Sequence, residues 1–427
     1  MIIGIDDTDS RQGMCTTYLG AVLIEELNVY GDIKELPILV RLNPTIPYKT
    51  RGNAAIAIQI DTKYPGRVIE QVISKIESLA EMQSEKTNPG VIFVQDEDYS
   101  RAAPELKRFF HNTVQHVMTI ESAKNLISKL GLTAKGYKRE RGLIGALAAT
   151  GAMLDDKWDC TYEYLAYRKK SLWRLPRTVD EKSVYRSDLT CYPNTWDTID
   201  RTNKVVVCVP KSPDPVLYGI RGKDAGTVKS AAEMIESETV DRSAVYRTNQ
   251  GTDMHLINVF SIKDIEDMQS YVVKGTVKNT PYTIEGGHTI FSLGDSSGYY
   301  IDCAAYEPTK NFRYLIRSLM TGDNVTVYGS VKNQTLNIEK IRINSLVTKY
   351  ETKNPVCPVC NKRMKSAGIN QGFRCRKCKT KAYSSAKLEI DRELEPGIYE
   401  VPPSARRHLA KPLVRFESND CKLFPSR

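Results

Sequence analysis

Ile2-Ile3-Gly4-Ile5-Asp6-Asp7-Thr8-Asp9-Ser10 sets how the first part of the chain is read. Met1–Ile5 is expected as a short strand that runs at once into three carboxylates within four positions. If the strand continued, Asp7 and Asp9 would share one face and Asp6 and Thr8 the other. Carboxylates this close repel one another, which calls for a cation, solvent or a raised pKa. Two readings follow. A hard cation such as Mg2+ can be held by one or two of them together with substrate phosphates. Alternatively, the run is a solvated acidic turn that caps the next helix. Gly13-Met14-Cys15-Thr16-Thr17-Tyr18 then puts small and hydroxyl residues at the expected helix start, where backbone N–H groups favour phosphate. Thr16 also reads as an ordinary capping hydroxyl.

Farther along, Arg41-Leu42-Asn43-Pro44-Thr45-Ile46-Pro47-Tyr48-Lys49-Thr50-Arg51-Gly52-Asn53 is a polar, cation-bearing stretch leading into an expected strand, Ala54–Ile60. Lys49 and Arg51, two apart, can point the same way, and Gly52 lets the backbone approach a ligand. Acidic and basic clusters on separate loops are the pieces of a metal–nucleotide site. The apolar stripe of Arg67–Glu81 is core and carries no function. A phosphate-binding Gly-rich loop is not the device used: Gly131 and Gly136 have the spacing but lack the Lys-Ser/Thr pair. The five histidines form no metal-ligand pair, and His111 and His116 read as helix residues.

The 427 residues, 41% hydrophobic and 26% charged, suit two to four folded domains and exclude a low-complexity or collagen-like chain. No stretch reaches the ~20 apolar residues of a membrane span. With neither a basic leader nor a long apolar run at the start, a cytoplasmic protein with no membrane partner is expected. Charge is uneven. Residues 353–427 hold 17 Lys/Arg against 7 Asp/Glu, which accounts for the whole net +10, while residues 1–352 hold 44 of each. An acidic polymer, nucleic acid before membrane, is the expected partner of that end.

Four of the ten cysteines, Cys357-x2-Cys360 and Cys375-x2-Cys378, have the spacing of a closed tetrahedral site for a structural Zn2+. Eight cations surround them, with Phe373 and Tyr383 between, a mixture suited to phosphates and unstacked bases. The other cysteines read as small apolar fillers. Upstream, Tyr271–Val277, His288–Leu293 and Tyr299–Ala304 read as strands, Lys310–Met320 as a helix, and Asn324–Val331 and Thr335–Ile343 as strands. That order is the one of an OB barrel, with a different small barrel as the alternative. Residues 121–255 alternate helices (Glu121–Leu130, Arg141–Met153, Asp224–Ser237) with short strands, as in helices packed on one antiparallel sheet. The polar connection Lys169–Asn203 reads as a long functional or mobile loop.

Gly4–Ser10, Gly13–Leu19, Arg41–Pro44 with Lys49–Asn53, Arg141–Ala146, Tyr218–Gly222, the barrel segment and the four-cysteine ribbon together resemble the archaeal tRNA(Ile)2 2-agmatinylcytidine synthetase family. The resemblance implies a multidomain α+β protein. Its parts are a kinase-like ATP-dependent catalytic domain (1–120), a ferredoxin-like domain with agmatine or ATP contacts (121–255), an OB fold (268–348), a tRNA-binding zinc ribbon (353–385) and a basic C-terminal tail (386–427). It also implies the chemistry: ATP is used to replace the C2 oxygen of the wobble cytidine in the CAU anticodon of an isoleucine tRNA with agmatine, giving agmatidine and AUA decoding. Asp6, Asp7 and Asp9 are then catalytic, with Asp7 and Asp9 on Mg2+. Thr16 is the hydroxyl that becomes phosphorylated. Lys49, Arg51, Gly52 and Asn53 bind ATP phosphates, and Arg221 reaches a phosphate from the second domain. A non-catalytic single-stranded RNA- or DNA-binding protein built on the barrel and ribbon is the alternative, and it leaves the acidic run without work.

Overall fold

The computed structural model describes residues 1–50 and 52–416; Arg51 and the last residues of the basic tail lie outside the described residues. The architecture is multidomain α+β, built on one long sheet, a five-stranded barrel and a small cysteine-centred ribbon.

Along the long sheet the strands run in the order Thr133–Gly136, Gly90–Val94, Ile2–Asp6, Ala54–Thr62, Ile38–Arg41, Val240–Thr248, Thr161–Arg168, Val216–Gly222 and Thr195–Trp196. Every neighbouring pair is antiparallel except one. Arg247 and Thr248 pair in parallel with Ile38 and Leu39, and this contact joins the N-terminal strands to those of residues 161–222. Asn249 continues the seam, its Oδ1 accepting from the Arg41 N–H at 2.7 Å and its Nδ2 donating to the Arg41 carbonyl at 2.9 Å. The sheet therefore crosses the expected boundary at residue 120.

Helices Thr16–Leu27 and Pro65–Leu79 bury their apolar stripes on one face of the N-terminal strands. On the other face lies Gly142–Leu154, a helix apolar on all sides and buried along nearly its whole length, with Tyr99–Gln115 packed beyond it. This close stacking depends on glycines. A Cβ on Gly4 would lie 2.1 Å from the Ala146 carbonyl oxygen, and one on Gly90 would lie 2.2 Å from the Leu143 nitrogen. The stretch Lys169–Asn203 is not a loop. It carries the helix Glu181–Cys191, capped by Asp180, whose carboxylate accepts from the Ser183 N–H at 2.9 Å. Its polar composition is that of a short helix whose buried face is Ser183, Val184, Ser187 and Asp188.

The barrel closes as expected. Ser270–Val277 pairs with Asn324–Lys332, which pairs with Thr335–Ser345, then Tyr300–Ala305 in parallel, then Thr289–Gly294, which returns to Thr276 and Val277. Phe312–Arg317 supplies the helix between the third and fourth strands. Gly397–Glu400 adds a strand to Thr335–Ser345, and the chain then crosses back to the long sheet. There Leu409 is buried in the core beneath Gly142–Leu154. The seam between barrel and sheet is polar and buried: His255 Nε2 meets Glu339 at 3.0 Å, and Lys340 donates to Asp253 at 2.6 Å. No helix among the described residues is long and apolar enough to cross a membrane.

Gly4→Ala should lower stability by roughly 2 kcal/mol or more, because the new methyl meets backbone that cannot move aside without separating helix from sheet. Denaturant midpoints of the two proteins check this; an unchanged midpoint would mean the helix is not held by that contact.

Candidate active site and zinc centre

A cavity of about 310 Å³ is lined from both halves of the long sheet and by His408 of the returning C-terminal segment. Its volume lies at the small-ligand end of binding cavities. Asp6, Asp7, Asp9, Thr16, Lys49, Gly52, Asn53 and Arg221, each expected from sequence, all line it.

Asp6 is the last residue of the first strand, and the chain then leaves the strand conformation. Asp7 has φ 57°, so strand alternation does not set where the Asp7 and Asp9 carboxylates point. Asp6 Oδ1 accepts from the Asp7 N–H at 2.7 Å, and a Cβ on Gly145 would lie 1.9 Å from Asp6 Oδ2. The carboxyl therefore rests on the helix Gly142–Leu154. Burial, then the neighbouring Asp7 charge, pushes the Asp6 pKa well above the carboxylate range. Asp7 Oδ2 accepts from the Asn88 N–H at 3.1 Å. Burial and then Asp9 push its pKa up to about 7, against the opposing pull of Asn88 and Arg141. This is the electrostatics of a site that gains from a bound cation. The three aspartates do not converge as tightly as a self-sufficient metal cage: among the described residues, only the four ribbon cysteines bring three or more ligand atoms within 4.8 Å of one another.

Thr16 opens the helix Thr16–Leu27, and Cys15, with no side-chain cap bond, holds the capping position. The Thr16 hydroxyl is therefore not a cap. It accepts from Thr8 Oγ1 at 3.1 Å, and both threonines are buried beside the acidic turn. On the opposite wall, Lys49 Nζ donates to the Pro44 carbonyl. Asn53 (φ 47°) donates through Nδ2 to the Asn43 carbonyl at 2.8 Å, fixing the loop that carries Gly52.

Between these walls stands Glu163, which no pattern in the sequence singles out. Its Oε1 accepts from Arg221 Nε at 3.0 Å, and its Oε2 accepts from Gln250 Nε2 at 2.5 Å and lies 3.9 Å from Arg41 Nη2. One buried carboxylate thus holds arginines from both halves of the sheet. The available signal is a lone Glu at an inward position of the alternating strand Thr161–Arg168. Asp197, Arg141 and His408 escape sequence reasoning as well. The Arg141 guanidinium covers the Tyr48 ring at 3.9 Å from its centroid, and Arg221 Nη1 lies 3.5 Å from Asp197. Cys208 lines the cavity with its pKa pushed up to about 12 by burial, so it is an inert thiol, as expected of a filler.

The ribbon fits its metal. Cys357 and Cys378 sulfurs are 3.2 Å apart, Cys360 and Cys375 3.3 Å, and Cys378 and Cys360 3.7 Å. A tetrahedral Zn2+ with bonds of about 2.3 Å has sulfur–sulfur edges of roughly 3.8 Å. The surrounding core is only Met364, Phe373, Ala382 and the cysteines themselves, so the metal supplies the folding energy. The eight ribbon cations, Lys362, Arg363, Lys365, Arg374, Arg376, Lys377, Lys379 and Lys381, are all exposed. Beyond the ribbon, arginines pair with carboxylates elsewhere in the chain. Arg392 pairs with buried Asp323, Arg406 with Asp197 and Glu400, and Arg415 with Asp159.

Comparison with known proteins agrees along the whole chain. Residues 2–67 match the family described as the TiaS TCKD domain, 140–255 the TiaS FLD domain, and 354–394 the TiaS C-terminal zinc ribbon domain. The tRNA(Ile2) 2-agmatinylcytidine synthetase TiaS of Methanosarcina mazei is 60% identical over 428 residues, covering 100% of each chain. The chain belongs to the tRNA(Ile2) 2-agmatinylcytidine synthetase family. Among solved structures, a TiaS–tRNA(Ile2)–ATP complex superimposes with a TM-score of 0.91 at 45% identity, over 99% of both chains. A TiaS–tRNA(Ile2)–AMPCPP–agmatine complex gives 0.88 at 42% identity, again over 99% of both.

Because the folded pKa of Asp7 is about 7 and an unfolded Asp titrates near 3.9, the folded state binds the extra proton between them, and stability falls as pH rises through that window. Asp7→Asn should therefore raise the melting midpoint of the ligand-free protein at pH 8 by roughly 1–3 °C, a gain that vanishes near pH 4. Melting curves at the two pH values check it; an equal or lower midpoint at pH 8 would contradict the buried-charge account.

Proposed function

We propose that this chain is an ATP-dependent ligase that replaces the C2 oxygen of the wobble cytidine in the CAU anticodon of an isoleucine tRNA with agmatine, giving agmatidine and AUA decoding. What carries the reading is one cavity in which an acidic turn, a buried hydroxyl and cations from two distant stretches of chain meet, in a chain related to this family over its full length. Residues 1–120 are read as a kinase-like catalytic domain and 121–255 as a ferredoxin-like domain with agmatine or ATP contacts. Residues 268–348 are then the nucleic-acid-binding OB fold, 353–385 the tRNA-binding zinc ribbon and 386–427 the basic C-terminal segment. The setting is cytoplasmic.

The chemical problem dictates the roles. The C2 carbonyl of cytosine is a poor electrophile, and an amine does not displace its oxygen directly. Attack of that oxygen on a phosphoryl group of ATP forms a C2–O–P link while the phosphoanhydride bond from that phosphorus breaks and the remainder of the nucleotide leaves. The neutral primary amine of agmatine then adds to C2, loses its proton, and the oxygen leaves with the phosphate. Asp7 and Asp9 are the proposed ligands of Mg2+, which when bound supplies charge to offset the ATP phosphates. A carboxylate of the acidic turn that is not engaged on the cation takes the proton from the attacking amine. Lys49, Arg221 and the Gly52–Asn53 backbone, with Arg51 completing the set from sequence, hold the phosphoryl oxygens as charge develops on them. Thr16, buried at the helix N-terminus beside the same turn, is the hydroxyl proposed to be phosphorylated.

Asp7→Ala and Asp9→Ala should each abolish ATP consumption and leave tRNA affinity within about threefold. Incubation with Mg2+, ATP, labelled agmatine and bulk archaeal tRNA should put label into one isoleucine tRNA. ATP turnover without transfer would point to another nucleic-acid substrate, and neither activity to a binding protein.

The ribbon can be tested separately. Lys353 and Ala386 are directly paired across two antiparallel strands, so residues 354–385 can be excised and replaced by a short turn without touching His408 or Leu409. The shortened protein should bind tRNA more weakly with a shallower salt dependence, losing about 0.7–0.9 in slope per phosphate contact, and keep its ATP site. Equal affinity and slope would remove the ribbon from the RNA interface.

A further inference from the structure

We infer that His408 is a positioning residue of this pocket, delivered by the C-terminal segment to hold the Arg221 guanidinium where it meets a phosphate. The inference rests on reading the cavity as the ATP-using site. Arg221 has three anchors: Glu163 on Nε at 3.0 Å, Asp197 on Nη1 at 3.5 Å, and His408 Nδ1 on Nη2 at 2.6 Å, from a residue 187 positions away.

Arginine only donates, so Nδ1 must accept. The ring is then neutral, with its single proton on Nε2. A neutral acceptor is what this position requires. Two carboxylates already face Arg221, so a third would cancel the charge a phosphate needs, and a cation would repel the guanidinium. The enclosing protein, then Arg41, Arg221 and Lys49, keep the imidazole pKa well below its ordinary value, while the ring remains open to the cavity. Its Nε2 faces the Gly52 loop, 3.7 Å from where a Gly52 Cβ would stand.

The backbone on either side is fixed. The His408 carbonyl accepts from the Gly251 N–H at 2.8 Å, and that of Leu409 from Thr252 and Asp253 at 3.1 and 2.8 Å. Arg406, two residues before, is buried against Asp197 and Glu400. This is a rigid mount for one side chain, made by the far end of the sequence.

The test compares Arg221→Ala, His408→Ala, His408→Asn, His408→Gln and the double Ala variant in the full chain. ATP consumption is measured at saturating tRNA, together with tRNA affinity and melting midpoint. Asn offers an acceptor in the place of Nδ1, whereas Gln puts its amide nearer Nε2. H408A should lower kcat about tenfold with tRNA affinity within about twofold, and H408N should recover most of the loss while H408Q does not. The double variant should be no slower than R221A alone, as expected of two groups acting as one. If H408A fails to fold, the contrast between Asn and Gln decides. Asn no better than Gln, additive losses in the double variant, or normal kcat in H408A beside an impaired R221A would overturn the inference. Normal ATP consumption in R221A would instead remove the reading of the pocket on which it stands.

Discussion

The fold depends on one contact: the backbone of Gly142–Leu154 pressed directly on the strands Ile2–Asp6 and Gly90–Val94. Four glycines make it possible. A Cβ on Gly4, Gly90, Gly142 or Gly145 would lie between 1.9 and 2.4 Å from an atom of the opposing element. Real Cβ atoms do not approach that closely, so the contact exists only with hydrogen at these positions. Its consequence for the site is direct. The helix brings Arg141, Ile144 and Gly145 to the cavity wall and closes over Asp6, whose carboxyl loses water and gains the repulsion of Asp7. The same packing that stabilises the sheet thus raises the acidic turn in energy, a destabilisation that ligand binding can relieve.

The second constraint is the seam between the two halves of the sheet. A parallel contact of only two residue pairs, reinforced by Asn249, sets Arg41 beside the strands that carry Glu163 and Arg221. Glu163 then holds both arginines from a buried position. Without that carboxylate the Arg41 and Arg221 charges would repel each other with nothing between them to compensate, so the arrangement acts as a unit. Neither half of the chain contains a complete cavity, and the C-terminal segment finishes it.

How much of this is legible in the sequence follows from the range of each signal. The four-cysteine spacing is local and specifies the ribbon completely. The strand and turn pattern of 270–343 is local too, and the barrel closes in the expected order. The acidic turn and the Lys49–Asn53 stretch announce themselves by composition. Glu163, Asp197 and His408 do not, because what makes each of them part of the site is a partner more than 20 residues away in sequence. The charge of the C-terminal end misleads for the same reason. Counting cannot separate the exposed ribbon cations from Arg392 and Arg406, which are spent on buried carboxylates. Lys169–Asn203 looks like a loop because its helix buries Ser183, Ser187 and Asp188 beside Val184 and so lacks the apolar stripe that periodicity detects.

If the C2 oxygen departs bound to phosphorus, an isotope placed on it must follow the phosphate. Isoleucine tRNA carrying ¹⁸O at C2 of the wobble cytidine, incubated with the enzyme, ATP, Mg2+ and agmatine, tests this in one turnover. Agmatidine formation should be matched by ¹⁸O in orthophosphate, measured by mass spectrometry. Agmatidine formed with unlabelled orthophosphate would mean the oxygen left without being phosphorylated, and the proposed roles of the acidic turn and the cationic wall would be contradicted.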